Sequence, residues 1–166
     1  MSGTPRLRSL VTPAAAPRSA RLRAPLLVLL GGLLLVEAAG GLVVFIARLA
    51  SGHTPGESLH VVAGALLTLV YAAYQWQHWG RVEPWRSRLD YAMGLIAALG
   101  MGATLATGYV LAWPWWRMRL LAHRDGPVPY PPPVSAAHNI MSMLVLTFVG
   151  AHLAAVLLRD AAAKRR

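Results

Sequence analysis

The chain contains no cysteine. That excludes disulfides, thiolate-ligated iron–sulfur clusters, thioether attachment of a c-type haem and thiol catalysis. Any metal or cofactor held by this protein must be bound through histidine, carboxylate, methionine or backbone groups. Acidic residues are almost as scarce, with six Asp and Glu against sixteen Lys and Arg. Charge of either sign makes up only 13% of the 166 residues, about half of what a soluble domain carries. Apolar residues fill the gap at 56%, and the mean hydropathy is +0.48. This composition argues against an ordinary water-soluble domain and points to lipid as the solvent.

Crossing about 30 Å of hydrocarbon takes about 20 consecutive apolar residues. Four segments meet that requirement: Pro25–Ala47, Ser58–Trp79, Tyr91–Trp113 and Ser135–Leu158. The predicted fold is all-α, a four-helix transmembrane bundle over residues 25–160. A disordered basic arm is expected over 1–24, and a short basic tail over 161–166. The arginine-rich start followed by Leu26–Val36 has the look of a signal peptide. The apolar run continues through Gly41–Ala47, so an uncleaved span is expected. The first two connections, Ala50–Glu57 and Gly80–Asp90, are short, which makes successive helices antiparallel neighbours. The third, Pro114–Val134, is longer. It opens on Trp113-Pro114-Trp115-Trp116 and Arg117-Met118-Arg119, an aromatic belt followed by a short amphipathic stretch. Its Tyr130-Pro131-Pro132-Pro133 run is expected to be extended rather than helical.

A net charge of +10 raises the question of nucleic acid. Its placement answers it. If the spans alternate, twelve of the sixteen basic residues share one side: five before the first span, three in the second loop, four after the fourth span. Only Arg48, Arg117, Arg119 and Arg124 fall opposite. The positive-inside bias then puts both termini in the cytoplasm. The cationic flanks orient the chain and meet anionic lipid, and no nucleic-acid partner is expected.

Histidines carry the candidate chemistry. His60 and His78 lie 18 residues apart in the second span, and His138 and His152 lie 14 apart in the fourth. A helix turns about 100° per residue, so each pair lies near one helix face. The second and fourth spans run in the same direction. His60 and His138 therefore fall toward the outer surface, His78 and His152 toward the inner one. A haem between the two helices at each level would receive one neutral imidazole from each side. Two axial ligands leave no open position, which suits electron transfer. The pairs rise about 27 Å and about 21 Å, so the inner pair is offset by about one turn. Two haems are expected, or one if tilt does not absorb that offset. An ionisable residue inside a span faces the protein interior and is functional by default, which singles out His152, deep in an apolar run. His53 and His123 lie in loops and are assigned no role.

Glycine and glutamate add to the candidate site. Gly64 follows His60 by one turn; Gly31, Gly32, Gly40, Gly41, Gly94, Gly100, Gly102 and Gly108 are further small positions. They leave room either for a flat macrocycle or simply for close helix packing. Glu37 is the only acidic residue deep in a span. It is expected to be protonated or partnered, serving proton handling near a quinone, bonding a haem propionate or water, or simply bonding a neighbouring carbonyl. No basic partner is visible at its depth. Tyr74 and Gln75 either bond a ligand or sit in the membrane interface.

With His60, His78, His138 and His152 in a four-span bundle and Gly64 one turn after the first, the chain resembles small bacterial b-type cytochromes. These are the di-haem membrane subunits of formate dehydrogenase and nickel–iron hydrogenase. The resemblance covers roughly residues 25–160. It implies an electron-transfer subunit of an oxidoreductase complex in the bacterial inner membrane, carrying electrons between a redox partner subunit and the quinone pool through haem b. In some of these relatives the first span also supplies a ligand; here Pro25–Arg48 has no histidine. Two alternatives follow from the residues. One is a haem-free membrane anchor or assembly subunit. The other is a small proton-coupled transporter using Glu37 and His152 as a relay.

Overall fold

The structure is a computed structural model and describes residues 24–79, 88–124 and 126–164. Most of the predicted basic arm, the greater part of the basic second loop and the last two residues of the tail lie outside that range. Among the described residues every regular element is helical. Helix α1 spans Pro25–Ser51, α2 Glu57–Trp79, α3 Arg88–Trp116 and α4 Pro132–Lys164. A π-helical turn, Arg117–Leu121, follows α3 directly. All four helices are long and apolar enough to cross a membrane.

Local chemistry explains the helix ends. Pro25 opens α1 in the first turn, where a missing N–H costs nothing because that donor has no intrahelical acceptor. The carbonyl of Ala24 accepts from Leu27 and Val28 at 2.9 and 3.0 Å. Gly52 closes α1 in the left-handed conformation, φ 73°, and its N–H donates to the carbonyl of Arg48 at 3.0 Å, the usual glycine stop. At the start of α2 the Thr54 hydroxyl donates to Oε2 of Glu57 at 3.1 Å.

Two expectations are corrected at the proline-containing segments. Pro114 lies inside α3, not in a loop. It falls in the last turn, where it forfeits one backbone hydrogen bond but does not stop a helix already held by packing. The Pro131–Pro133 run is not wholly extended, because α4 begins at Pro132. Pro132 and Pro133 occupy the first turn, whose N–H groups need no intrahelical partner.

Helix α1 packs along α2, and α3 along α4, with α2 and α3 touching more sparingly. Small residues set both registers. A Cβ on Gly41 would sit 3.1 Å from the His60 ring, and one on Gly64 3.3 Å from Oε2 of Glu37. In the other hairpin a Cβ on Gly108 would sit 3.2 Å from His138, and one on Gly100 3.1 Å from Val145. By the first register Val44 is level with Glu57, so α1 continues past the start of α2 and the chain folds back through residues 52–56. Gly31, Gly32, Gly94 and Gly102 face open space.

Burial is uneven along the bundle. Ala63, Leu67, Met101, Trp115, Val128 and Val145 are buried, together with Glu57. They lie from the end that carries the two hairpin connections to the middle of the bundle. Beyond Leu67 on α2 and Val145 on α4, toward the termini, no described residue is buried. The outward faces are apolar: Leu35, Leu49, Leu69, Leu99 and Leu158 are each about two-thirds exposed or more. So broad an exposed apolar surface is a liability in water and is what four helices in contact with lipid present.

Candidate functional site

His60 and His138 come together between the hairpins. Their ring centres are 6.3 Å apart, with the planes at 76°. Each side chain is half-buried and held from behind by its own hairpin.

His138 is fixed by α3. Its Nδ1 lies 3.0 Å from the carbonyl oxygen of Thr104 and 3.1 Å from the hydroxyl of Thr107. A carbonyl only accepts, so the pairing assigns the hydrogen to Nδ1. The Thr107 hydroxyl spends its own hydrogen on the carbonyls of Ala103 and Thr104, at 2.8 and 3.0 Å. Its lone pair is left facing the same ring. The lone pair of the imidazole therefore resides on Nε2. This is the tautomer that a metal-ligating histidine adopts when its second nitrogen donates to a backbone carbonyl.

His60 is backed by α1. Oε2 of Glu37 approaches its Nδ1 to 3.1 Å. The approach is close but oblique, and among the described residues neither His60 Nδ1 nor Glu37 Oε1 makes a hydrogen bond. Gly40 and Gly41 let α1 pass against the ring. The partner for Glu37 that no depth argument revealed is thus His60. The two meet because α1 overshoots the start of α2, which brings Glu37 level with Gly64 rather than far below it.

The other two predicted ligands are not brought together. His78 stacks on Tyr74 of its own helix, ring centres 5.2 Å apart, with the Tyr74 hydroxyl 3.4 Å from its Nδ1. Tyr71 lies one turn on, 6.5 Å from Tyr74, and accepts from Gln75 Nε2 at 2.9 Å. His152 is half-buried on α4. The offset expected from spacing persists: His152 follows His138 by 14 residues, and 14 residues after His60 is Tyr74, not His78. Among the described residues no ion pair joins Glu37 to His152.

The hairpin end above His60 and His138 is tied across. Arg119 donates to the carbonyls of Arg124 and Gly126 at 3.0 and 2.9 Å, and lies 3.9 Å from Oε2 of Glu57. The guanidinium of Arg48 sits 5.1 Å above the Tyr130 ring, within cation–π range. These contacts hold the π-helical turn and the following loop against the start of α2. His53 and His123 are exposed in the connections.

Sequence reasoning passed over Thr104 and Thr107, and named Gly41 and Gly108 only among many small positions. A signal existed for the two threonines: Thr104-Leu105-Ala106-Thr107-Gly108 is a polar and small cluster in an otherwise apolar span.

Two imidazoles bonded at about 2 Å to opposite sides of one metal ion have ring centres about 6 Å apart. The 6.3 Å separation of His60 and His138 matches that spacing. Among the described residues no group of three or more His, Asp or Glu is placed to hold a bare metal ion. A two-histidine donor set suits a metal that brings its remaining ligands with it, as haem iron does. Comparison with protein-family models, curated proteins and solved structures yields no match.

Proposed function

We propose that this protein is a four-span b-type cytochrome of a bacterial inner membrane. In this reading it carries electrons between a redox partner subunit and the quinone pool. The observation that supports it most is the His138 tautomer: Nδ1 pairs with the Thr104 carbonyl, which leaves the lone pair on Nε2, in a ring whose centre is 6.3 Å from that of a second imidazole. His60 and His138 are the residues that would hold the principal haem. When bound, haem iron with two imidazole ligands passes single electrons and has no open position for oxygen. Thr104 accepts the Nδ1 hydrogen and so fixes the tautomer and the turn of the ring. Ala63, Leu67, Met101 and Val145 keep water from the neighbouring interior. A second centre at His78 and His152 would need helix tilt to bring them level, because the register leaves them about one turn apart.

Absorption spectra of the purified protein, air-oxidised and dithionite-reduced, test this directly. A reduced b-type α-band is expected, with one to two haems per chain. Protein free of haem after haem-replete expression would sink the proposal and leave a membrane anchor in its place.

The charge distribution sets the proposed orientation, with both termini cytoplasmic. A reporter that fluoresces only in the cytoplasm should be bright when fused after Arg166. A periplasm-dependent phosphatase inserted after His123 should be active. The reverse pattern would invert the assignment of His60 and His138 to the outer side.

A further inference from the structure

We infer that Glu37 is the positioning residue of His60, accepting the hydrogen of Nδ1 and so tuning the iron bound at Nε2. The inference rests on haem ligation by His60. Its basis is geometric. The Glu37 carboxylate lies 3.1 Å from His60 Nδ1, and two glycines make that approach sterically open. A Cβ at Gly64 would press on Oε2 of Glu37 at 3.3 Å, and one at Gly41 on the His60 ring at 3.1 Å. A carboxylate inside a span needs compensation, and the imidazole N–H of His60 is placed to supply it at 3.1 Å. The roles first considered for Glu37, at a quinone or a propionate, leave this contact unexplained.

The two ligands are then unequal. His138 donates to a neutral carbonyl, His60 to a carboxylate. A carboxylate acceptor makes the imidazole more electron-rich and favours ferric over ferrous iron. Removing it shifts the balance toward the ferrous form. A tenfold change in that preference is about 59 mV for one electron.

The full-length protein purified in detergent is compared with Glu37→Leu and Glu37→Gln by haem titration and by spectroelectrochemistry. Leucine removes the acceptor, and haem affinity at this centre should fall about 10- to 100-fold, the usual effect of deleting a ligand's hydrogen-bond partner. Glutamine keeps an acceptor oxygen, so affinity should be largely restored. The negative charge is lost, and the midpoint potential should rise by about 59 mV, a tenfold shift. Glu37→Leu that binds haem like the wild type, or Glu37→Gln with an unaltered potential, overturns the inference. If Glu37→Leu does not fold, the potential of Glu37→Gln decides alone. Wild-type protein that takes up no haem overturns ligation itself and this inference with it. A normal wild-type spectrum with insensitive variants removes only the role of Glu37.

Discussion

His60→Ala and His138→Ala should each remove the same haem, leaving the same residual spectrum. If the chain binds one haem, either variant is colourless. If it binds two, each loses about half of the reduced α-band. The expectation follows from the pairing of the rings across the two hairpins, 6.3 Å apart. One imidazole alone cannot satisfy iron that takes its ligands from both sides. The haem-to-protein ratio, with the α-band of each variant, gives the result. Variants that deplete different haems, or neither, would break the proposed pair. His78→Ala and His152→Ala should leave this centre's band unchanged, because neither residue touches it.

The helices were legible because lipid demands long, nearly uninterrupted apolar runs, and such runs announce themselves. Their ends were less so. Pro114 and the Pro131–Pro133 run read as breaks, yet the first sits in the closing turn of α3 and part of the second opens α4, where a missing N–H is cheap. The encounter of His60 with His138 followed from parallel spans and similar depth. The encounter of Glu37 with His60 did not, since it depends on α1 overrunning the start of α2 and on the chain turning back through Gly52 and Gly56, both at positive φ. Hydropathy carries no information about such a stagger. The same limit applies to Thr104 and Thr107: their number and type are visible in the sequence, but which helix face meets His138 is a matter of packing. For His78 and His152 the spacing alone foretold the difficulty. An offset of one turn, carried by covalent connectivity on both helices, cannot be removed by side-chain rotation.

Leucine at Gly41 or Gly108 should abolish binding at the His60/His138 centre, whereas leucine at Gly31 should be tolerated. All three changes replace a poor helix former with a good one, which by itself stabilises a helix by roughly 0.5–1 kcal/mol. What separates them is the space beyond the new Cβ. At Gly31 there is nothing within 4 Å of the new Cβ, so the added side chain has open space to enter. At Gly41 the Cβ would already stand 3.1 Å from the His60 ring, and at Gly108 3.2 Å from that of His138. The remaining three carbons of leucine have no room unless the helices separate or the imidazole swings away. Overpacking of this kind costs about 1–3 kcal/mol, more than the propensity gain, and the cheapest relief is rotation of the ring out of its ligating position. The loss should therefore appear first in the cofactor: haem occupancy at this centre should fall at least tenfold, about 1.4 kcal/mol, while helix content by circular dichroism holds. Gly108→Leu should be the more severe, because the ring it displaces is anchored to Thr104 and Thr107 and must break those bonds to move. If Gly41→Leu and Gly108→Leu retain full occupancy, the glycines are there for helix packing alone and the close approach to the imidazoles has no bearing on ligation.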